Sequence, residues 1–213
     1  MPMVSRRLSG ALTDLGYMIL AASPRLRPLY RRWASPRYRN LAASYGGLAE
    51  DDPVYLRPLR VLLQQLESAP DRIVEVGAGT GAATAVLVER YPRATVVVVD
   101  ASPQMLQQIT GSSRAAVHRV VGDAFALPLC AHSADLALVH NAPFDLDELI
   151  RATRPSGVVV IVLSSARWIP SAVRARLLRG RGLRGWACVL ERTIGTGVVW
   201  VFQRDAGRPA AQS

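Results

Sequence analysis

Residues Ile73 to Gly81, with the sequence Ile-Val-Glu-Val-Gly-Ala-Gly-Thr-Gly, decide the fold of this chain. The β-branched residues before the glycines predict the end of a buried strand, and apolar residues recur at helical spacing after Thr80. Glycine allows a tight turn and a close approach of the backbone to a ligand. The stretch therefore predicts a strand, a glycine-rich turn and a helix whose N-terminus faces a nucleotide-type ligand.

Glu75 narrows the kind of ligand. The glycine pattern also fits the dinucleotide fingerprint in its Gly/Ala form, through Gly77, Gly79 and Ala82. However, an ionised carboxylate near the end of a buried strand needs a cationic or hydrogen-bonding partner, and a pyrophosphate would repel it. S-adenosylmethionine (SAM) carries an ammonium and a sulfonium group and no phosphate, so Glu75 favours SAM. The alternative is that Glu75 pairs with an internal arginine.

From Arg72 onward, strand and helix patterns alternate, which predicts an α/β fold with a parallel sheet covered on both faces. Helices are expected after the first, second, fourth and fifth strands. Two last strands with a short connection predict a hairpin. The seven predicted strands are Arg72 to Val76, Thr95 to Asp100, Val117 to Val121, Ala134 to Val139, Val158 to Ser164, Trp186 to Arg192 and Gly197 to Gln203.

The chain before the sheet is predicted to be helical, because apolar residues recur there at helical spacing and cap residues precede prolines. We expect a helical lid and substrate-side segment at residues 1–66, a SAM-binding domain at 67–205 and a disordered tail at 206–213. The four apolar stripes are Leu8, Leu12, Leu15 and Ile19; Leu26, Leu29, Tyr30 and Trp33; Tyr38, Leu41, Ala42 and Tyr45; and Leu59, Leu62, Leu63 and Leu66.

Positive charge is concentrated in two flanks of the sequence. The net charge is +10, and all 26 basic residues are arginines. Residues 1–40 contain eight arginines and one acid, residues 41–150 seven arginines and thirteen acids, and residues 151–192 nine arginines and one acid. The basic flanks, including Arg25 to Trp33 and Arg167 to Arg184, suit an anionic membrane surface or nucleic acid, and a solvated surface is equally compatible.

Other features of the sequence limit the classes of protein to which the chain could belong. Cys130 and Cys188 are isolated and have no metal-type spacing, so no metal site is expected. No apolar run is long enough to span a bilayer. Ser5-Arg6-Arg7 before Leu8 to Ala22 resembles a twin-arginine export signal, but Asp14 interrupts the apolar segment. We expect a cytoplasmic protein, with peripheral membrane contact as an option.

These motifs resemble the class I SAM-dependent methyltransferases, and more closely their small-molecule branch that includes the quinone (UbiE-like) enzymes. The resemblance covers about Ser35 to Arg204 and implies a Rossmann-like, doubly wound, seven-stranded sheet, mostly parallel, with a C-terminal antiparallel hairpin and N-terminal helices. Glu75 to Gly81 matches the first family motif. Arg154 to Gly157 matches the turn before the fifth strand, although Ser156 stands where glycine is usual.

The resemblance also implies a set of SAM contacts, in which Asp100 binds the ribose hydroxyls and Asp123 reads the adenine edge. For Asp123, the alternative is that it only caps a turn. For Tyr38 and Tyr45, the aromatic residues of the expected lid helix, the alternative is that they belong to the core. The full predicted set is Glu75, Gly77, Ala78, Gly79, Thr80, Gly81, Asp100, Ala101, Ser102, Met105, Gly122, Asp123, Ala124, Phe125, His140, Tyr38 and Tyr45.

The family implies transfer of a methyl group from SAM to an O, N or C nucleophile of a small molecule such as a lipid, a quinone or a secondary metabolite, with S-adenosylhomocysteine (SAH) as product. The enzyme must orient the nucleophile and exclude water. His140 and Asn141 follow the fourth strand and are the catalytic candidates, with His140 as a base or only a backbone contact to SAM.

Two other functions remain open. Asn141-Ala142-Pro143-Phe144 resembles the Asn-Pro-Pro-Phe/Tyr signature of amino-group methyltransferases, which act on nucleic acid or protein, although Ala142 replaces the first proline. The chain could also be a SAM-binding partner subunit that transfers nothing, because a fold alone does not establish catalysis.

Overall fold

The computed structural model describes residues 24–30, 32, 53–67, 69–109, 116–164, 172, 174, 175, 178 and 185–205. A 3-10 helix at Pro24–Leu26 comes first. Residues 27–30 continue it as α-helix, and the α-helices with both ends described are α1 (Pro53–Gln65), α2 (Ala82–Arg90), α3 (Pro103–Gln108) and α4 (Leu146–Ala152). The strands are β1 (Arg72–Val76), β2 (Thr95–Asp100), β3 (Ala116–Val121), β4 (Ala134–His140), β5 (Thr153–Leu163), β6 (Trp186–Ile194) and β7 (Gly197–Arg204).

The seven strands form one sheet in the order β3-β2-β1-β4-β5-β7-β6. All neighbouring pairs from β3 to β5 are parallel, and β7 is antiparallel to both β5 and β6. The chain order reverses at β1, which pairs with β2 on one side and β4 on the other. In open α/β sheets, ligands bind at the carboxyl ends of the strands beside such a reversal.

Two apolar clusters cover the two faces of the sheet. Residues of α1, α2 and α3 pack on one face, and those of α4 pack on the other with Trp200 and Phe202 of β7. All seven residues of β4 are buried, as expected of a central parallel strand, whereas the outer strands β3 and β6 carry many exposed side chains. Of the predicted α1 stripe, Leu59, Leu62 and Leu63 are fully buried.

The structure confirms the predicted fold class and the bounds of β1 and β2. The strands β3, β4, β6 and β7 are one or two residues longer than predicted, and β5 begins five residues earlier and ends one residue earlier. The prediction of a separate turn at Arg154 to Gly157 is wrong, because these residues belong to β5. Thr153 already pairs with Ala134, and an irregularity in the β4–β5 register accommodates the extra residues. The apolar stripes at residues 8–19 and 38–45, Trp33, most of the helix expected after β5 and the tail lie outside the described residues.

Candidate functional site

A cavity of about 470 Å³ opens at the carboxyl ends of β1, β2 and β4. The segments that follow these strands approach one another there, because parallel strands end at the same edge of the sheet. Of the predicted site residues, the cavity is lined by Glu75, Gly77, Ala78, Gly79, Thr80, Asp100, Ala101, Ser102, Met105, Gly122, Asp123, Ala124, Phe125, His140 and Asn141.

The glycine turn is held against the end of β2. The backbone N–H groups of Gly77 and Ala78 donate to the carbonyl of Val99, at 2.8 and 3.2 Å. Gly77 has a φ of 73°, and a Cβ atom added to it would lie 2.1 Å from the Cβ of Ala142. Both the backbone conformation and the space therefore require glycine at this position.

Asp100 joins the end of β2 to the same turn. Its Oδ2 accepts a hydrogen bond from the N–H of Gly79 at 2.9 Å, and its Oδ1 accepts one from the N–H of Ser102 at 2.8 Å. Burial raises the pKa of the Asp100 carboxyl, and the backbone hydrogen bonds oppose that rise. A carboxylate has about four acceptor sites and Asp100 lines the cavity, so a ligand hydroxyl could share this side chain.

Glu75 is buried beside the turn, with 1% of its surface exposed. Its Oε2 accepts a hydrogen bond from the hydroxyl of Thr84 at 2.6 Å. Burial raises the pKa of Glu75 to about 8; the Thr84 bond lowers the pKa, and the charge of Asp100 raises it further. Within the described part of the chain no arginine forms an ion pair with Glu75, so the alternative of an internal partner finds no support there.

The segment from Gly122 to Phe125 forms one wall of the cavity. Asp123 accepts a hydrogen bond from the N–H of Phe125 at 2.9 Å and pairs through its backbone with Ala126. Asp123 therefore caps a turn and also lines the cavity, so its two sequence interpretations are compatible.

His140 belongs to a buried hydrogen-bond network with Ser164. The Asn141 side-chain amide donates to Ser164 Oγ at 2.9 Å, and the Ser164 hydroxyl donates to the carbonyl of Tyr55. His140 Nε2 lies 3.0 Å from Ser164 Oγ, 3.3 Å from the Tyr55 carbonyl and 3.4 Å from Asn141 Nδ2; the carbonyl, which can only accept, favours a ring proton on Nε2. Burial lowers the pKa of His140 to about 4, against the effect of the Tyr55 bond, so the ring is neutral at pH 7.

Several neighbours of the site were not among the predicted site residues. Tyr55 of α1 lines the cavity, and its ring centre lies 4.7 Å from that of His140. Tyr30 also lines it and meets the edge of Phe125, with ring centres 6.3 Å apart. The helical stripe that contains Tyr30 predicted burial, but periodicity does not say what a buried side chain touches. Ser164 follows β5 and had no motif to mark it.

Four residues singled out in the sequence are not in the lining set given above, for different reasons. Gly81 is outside the cavity lining. It is the N-cap of α2 and has a φ of 95°, and α2 begins at Ala82, two residues after the predicted start at Thr80. Tyr38 and Tyr45 fall outside the described residues. Phe144, of the signature that resembles the amino-group enzymes, is buried in the apolar cluster on the α4 face, and it does not line the cavity.

The described ranges contain neither a metal-ligand cluster nor a membrane-spanning helix. Across those residues, His, Cys, Asp and Glu side chains form no group of three that could hold a metal ion. No described helix is long and apolar enough to cross a membrane.

The fold and the site together define a class of protein. A glycine turn at the strand-order reversal, a carboxylate at the end of β2 and a buried acid that has no arginine partner in the described ranges are typical of an α/β domain that binds a positively charged nucleoside derivative. SAM fits these residues, because its ammonium group would supply a positive charge next to Glu75.

Comparisons with known proteins agree with a SAM-binding domain. Residues 73–157 match a family model described as a methyltransferase domain. The chain is 32% identical over 155 residues to a malonyl-[acyl-carrier protein] O-methyltransferase of Marinomonas sp. (strain MWYL1), covering 68% of this chain and 57% of that protein. It is 47% identical over 53 residues to a trans-aconitate 2-methyltransferase of Rhodopseudomonas palustris (strain BisB5), covering 24% of this chain and 21% of that one.

A solved SAM-dependent methyltransferase from Aquifex aeolicus shares the fold, with a TM-score of 0.53, 18% identity, and coverage of 71% of this chain and 93% of that chain. The chain belongs to the class I SAM-dependent methyltransferases. This membership implies SAM as the cofactor and confirms the resemblance inferred from the sequence. The chain spans about half the length of the first curated relatives that it matches, 57% and 50% of the first two.

Proposed function

We propose that this protein transfers the methyl group of SAM to a nucleophile on a small molecule and releases SAH. The observation that carries the proposal is Glu75, a buried acid with a hydroxyl partner, beside a glycine turn that only glycine can form. A buried carboxylate with a raised pKa in a cleft is typical of a functional site. The names of the curated relatives support methyl transfer to small groups.

In this proposal the described residues bind and orient SAM, which brings its own electrophilic methyl group. Glu75 and the glycine turn receive the amino-acid end, Asp100 accepts from the ribose hydroxyls, and the wall from Gly122 to Phe125 receives the adenine. Orientation and exclusion of water are then the main contributions of the protein to the rate.

We propose an oxygen acceptor that is already ionised near neutral pH, such as a carboxylate. A base whose pKa is about 4 gives little driving force for removing a proton from a phenol or an alcohol, so His140 is better suited to hydrogen bonding than to proton removal. The curated relatives are named for malonyl and trans-aconitate groups, which both carry carboxylates. His140 and Asn141 are retained as candidates for contact with the acceptor, since both line the cavity.

The test measures SAH release from SAM against matched panels of carboxylic acids, acyl thioesters with a free carboxylate, phenols and amines. We expect release with a carboxylate and little change in the maximal rate between pH 6 and pH 8. A rate that rises with pH, found only with phenols, would contradict the proposed acceptor. Release only with amines would favour the amino-group reading. Binding of SAH without release on any panel would favour the non-catalytic SAM-binding subunit.

We also propose a cytoplasmic location, because SAM is a cytosolic metabolite, and contact of the arginine-rich flanks with an anionic surface. Most of these flanks lie outside the described residues, so the proposal depends on the charge distribution of the sequence. Binding to vesicles that does not change with anionic lipid content would contradict the membrane contact. Absent or salt-insensitive RNA and DNA binding would contradict the nucleic-acid contact.

A further inference from the structure

Arg151, in the last turn of α4, binds the backbone of a loop that has little regular structure of its own. Its Nη1 donates to the carbonyl of Leu129 at 2.8 Å, and its Nη2 donates to the carbonyl of Leu127 at 3.0 Å. The rigid fork of a guanidinium can reach two carbonyls of one segment at once. The shape of the loop at residues 127–129 therefore depends on one side chain of α4.

Glu148, one helical turn earlier, completes the clamp. Its two oxygens accept from Nε and Nη2 of Arg151, both at 2.9 Å. Oε2 also accepts from the N–H of Leu127 at 2.8 Å, so both backbone groups of Leu127 bind side chains of α4. This ion pair lowers the pKa of Glu148 and raises that of Arg151, so both groups stay charged across neutral pH.

The clamped loop lies directly behind the cavity wall. A Cβ atom added to Gly122 would lie 2.7 Å from the ring of Pro128, so the wall and the clamped segment are in close contact. Leu127 follows Ala126, whose backbone pairs with that of Asp123 in the wall. Residues 127–129 therefore cannot shift without moving the segment from Gly122 to Phe125.

We propose that Arg151 is a positioning residue for the cofactor, which holds the wall from Gly122 to Phe125 in its binding shape through the carbonyls of Leu127 and Leu129. The inference rests on the proposed function, since it takes SAM as the ligand of this wall. Arg151 itself does not line the cavity, so its effect on binding acts through the loop. The chemistry of methyl transfer should be left intact once SAM is bound.

The chain offers a matched control in Arg154 and Asp135. These side chains form an ion pair at 3.0 Å, and Asp135 also accepts hydrogen bonds from two backbone N–H groups. Glu148, the partner of Arg151, likewise accepts one from a backbone N–H group. The two arginine side chains are similarly exposed, 42% for Arg154 and 36% for Arg151. Asp135 lies near the start of β4, at the opposite edge of the sheet from the cavity. Loss of Arg154 therefore removes an ion pair of a similarly exposed arginine without touching the wall.

The experiment compares Arg151→Met, Arg151→Lys and Arg154→Met with the unchanged protein. SAH affinity is measured by calorimetry, steady-state rates with the active acceptor, and unfolding by urea. We expect Arg151→Met to raise the KM for SAM and the Kd for SAH by about tenfold, and to change kcat at saturating SAM by less than about twofold. Arg154→Met should lower stability and change the KM for SAM by less than about twofold.

The outcomes separate this inference from the proposed function. If the unchanged protein binds no SAH, both are overturned. If it binds SAH and Arg151→Met binds it equally well, or if Arg154→Met weakens SAH to the same degree, only the positioning role is overturned. Arg151→Lys keeps the charge and loses the fork, so it serves where the methionine variant does not fold. For Arg151→Lys, a KM for SAM between those of the unchanged protein and Arg151→Met, with an unchanged kcat, supports the proposal. A KM for SAM equal to that of the unchanged protein contradicts it.

Discussion

Two buried acids at opposite edges of the sheet show how the same kind of side chain takes different roles. Asp135, near the start of β4, accepts from the N–H groups of Asp71 and Arg72 at 2.8 and 2.9 Å and pairs with Arg154. Glu75, near the end of β1, accepts from Thr84, and burial raises its pKa to about 8. The fold itself supplies Asp135 with donors and a cation, so loss of these partners would destabilise it, whereas Glu75 has no arginine partner among the described residues and is suited to a cationic ligand.

The largest expected effect is on the Asp135 side of this comparison. Asp135→Ala leaves two backbone N–H groups and Arg154 without their acceptor. We expect the free energy of unfolding to fall by about 3 to 5 kcal/mol, measured by urea denaturation. SAH affinity of the folded variant, measured by calorimetry at low temperature, should stay within about twofold. A parallel loss of SAH affinity would show that the two edges are coupled.

The next effect is on the Glu75 side. Glu75→Gln keeps the shape of the protonated acid, so unfolding of the unliganded protein at pH 7 should change little. SAH affinity should fall by about 100-fold, or about 3 kcal/mol, because a charge-assisted interaction with the ligand ammonium is lost. Glu89→Gln removes an acid of the exposed ion pair with Arg60 and is the matched control. Unchanged affinity in Glu75→Gln would contradict the role given to Glu75.

The pH dependence of binding sharpens the same contrast. With a pKa of about 8 in the unliganded protein, Glu75 is mostly protonated at pH 6, and binding of a cation requires it to ionise. SAH affinity should therefore rise by up to about tenfold per pH unit from pH 6 and level off near pH 8. The ratio of affinities in the unchanged protein and Glu75→Gln isolates this titration from that of the ligand. A ratio that does not vary with pH would contradict the raised pKa.

The smallest effect concerns Asp145, an acid at the cavity edge of the sheet that has a cation. It caps α4 and pairs with Arg27 at 2.5 Å, while the guanidinium of Arg27 lies 4.9 Å from the ring centre of Phe125. Asp145→Asn keeps the cap and loses the ion pair, so stability should fall by about 0.5 to 1 kcal/mol. The KM for SAM should rise by about twofold to threefold, and by less in high salt. Asp145→Ala, which removes the cap as well, should cost more stability.

Local features of the fold were predictable from the sequence. The strand, turn and helix from Arg72 to Arg90 follow from β-branched residues, glycines and helical spacing, which act between neighbours in the chain. The same holds for the alternation that produces the sheet and for the site motifs, whose residues meet because each follows a strand. The segment from Arg154 to Gly157 was mispredicted as a turn, because its place in β5 depends on pairing with a neighbouring strand.

By itself, the sequence determined the order of the elements, the glycine turn and the presence of an acid at the end of a buried strand. Only the tertiary structure decided that Glu75 meets the hydroxyl of Thr84, that Gly77 contacts Ala142, and that Arg151 holds the loop behind the cavity wall. The physical reason is distance along the chain: periodicity and turn chemistry act over a few residues. Hydrogen bonds such as that between Ser164 and Tyr55 join residues 109 positions apart and exist only once the sheet has brought them together.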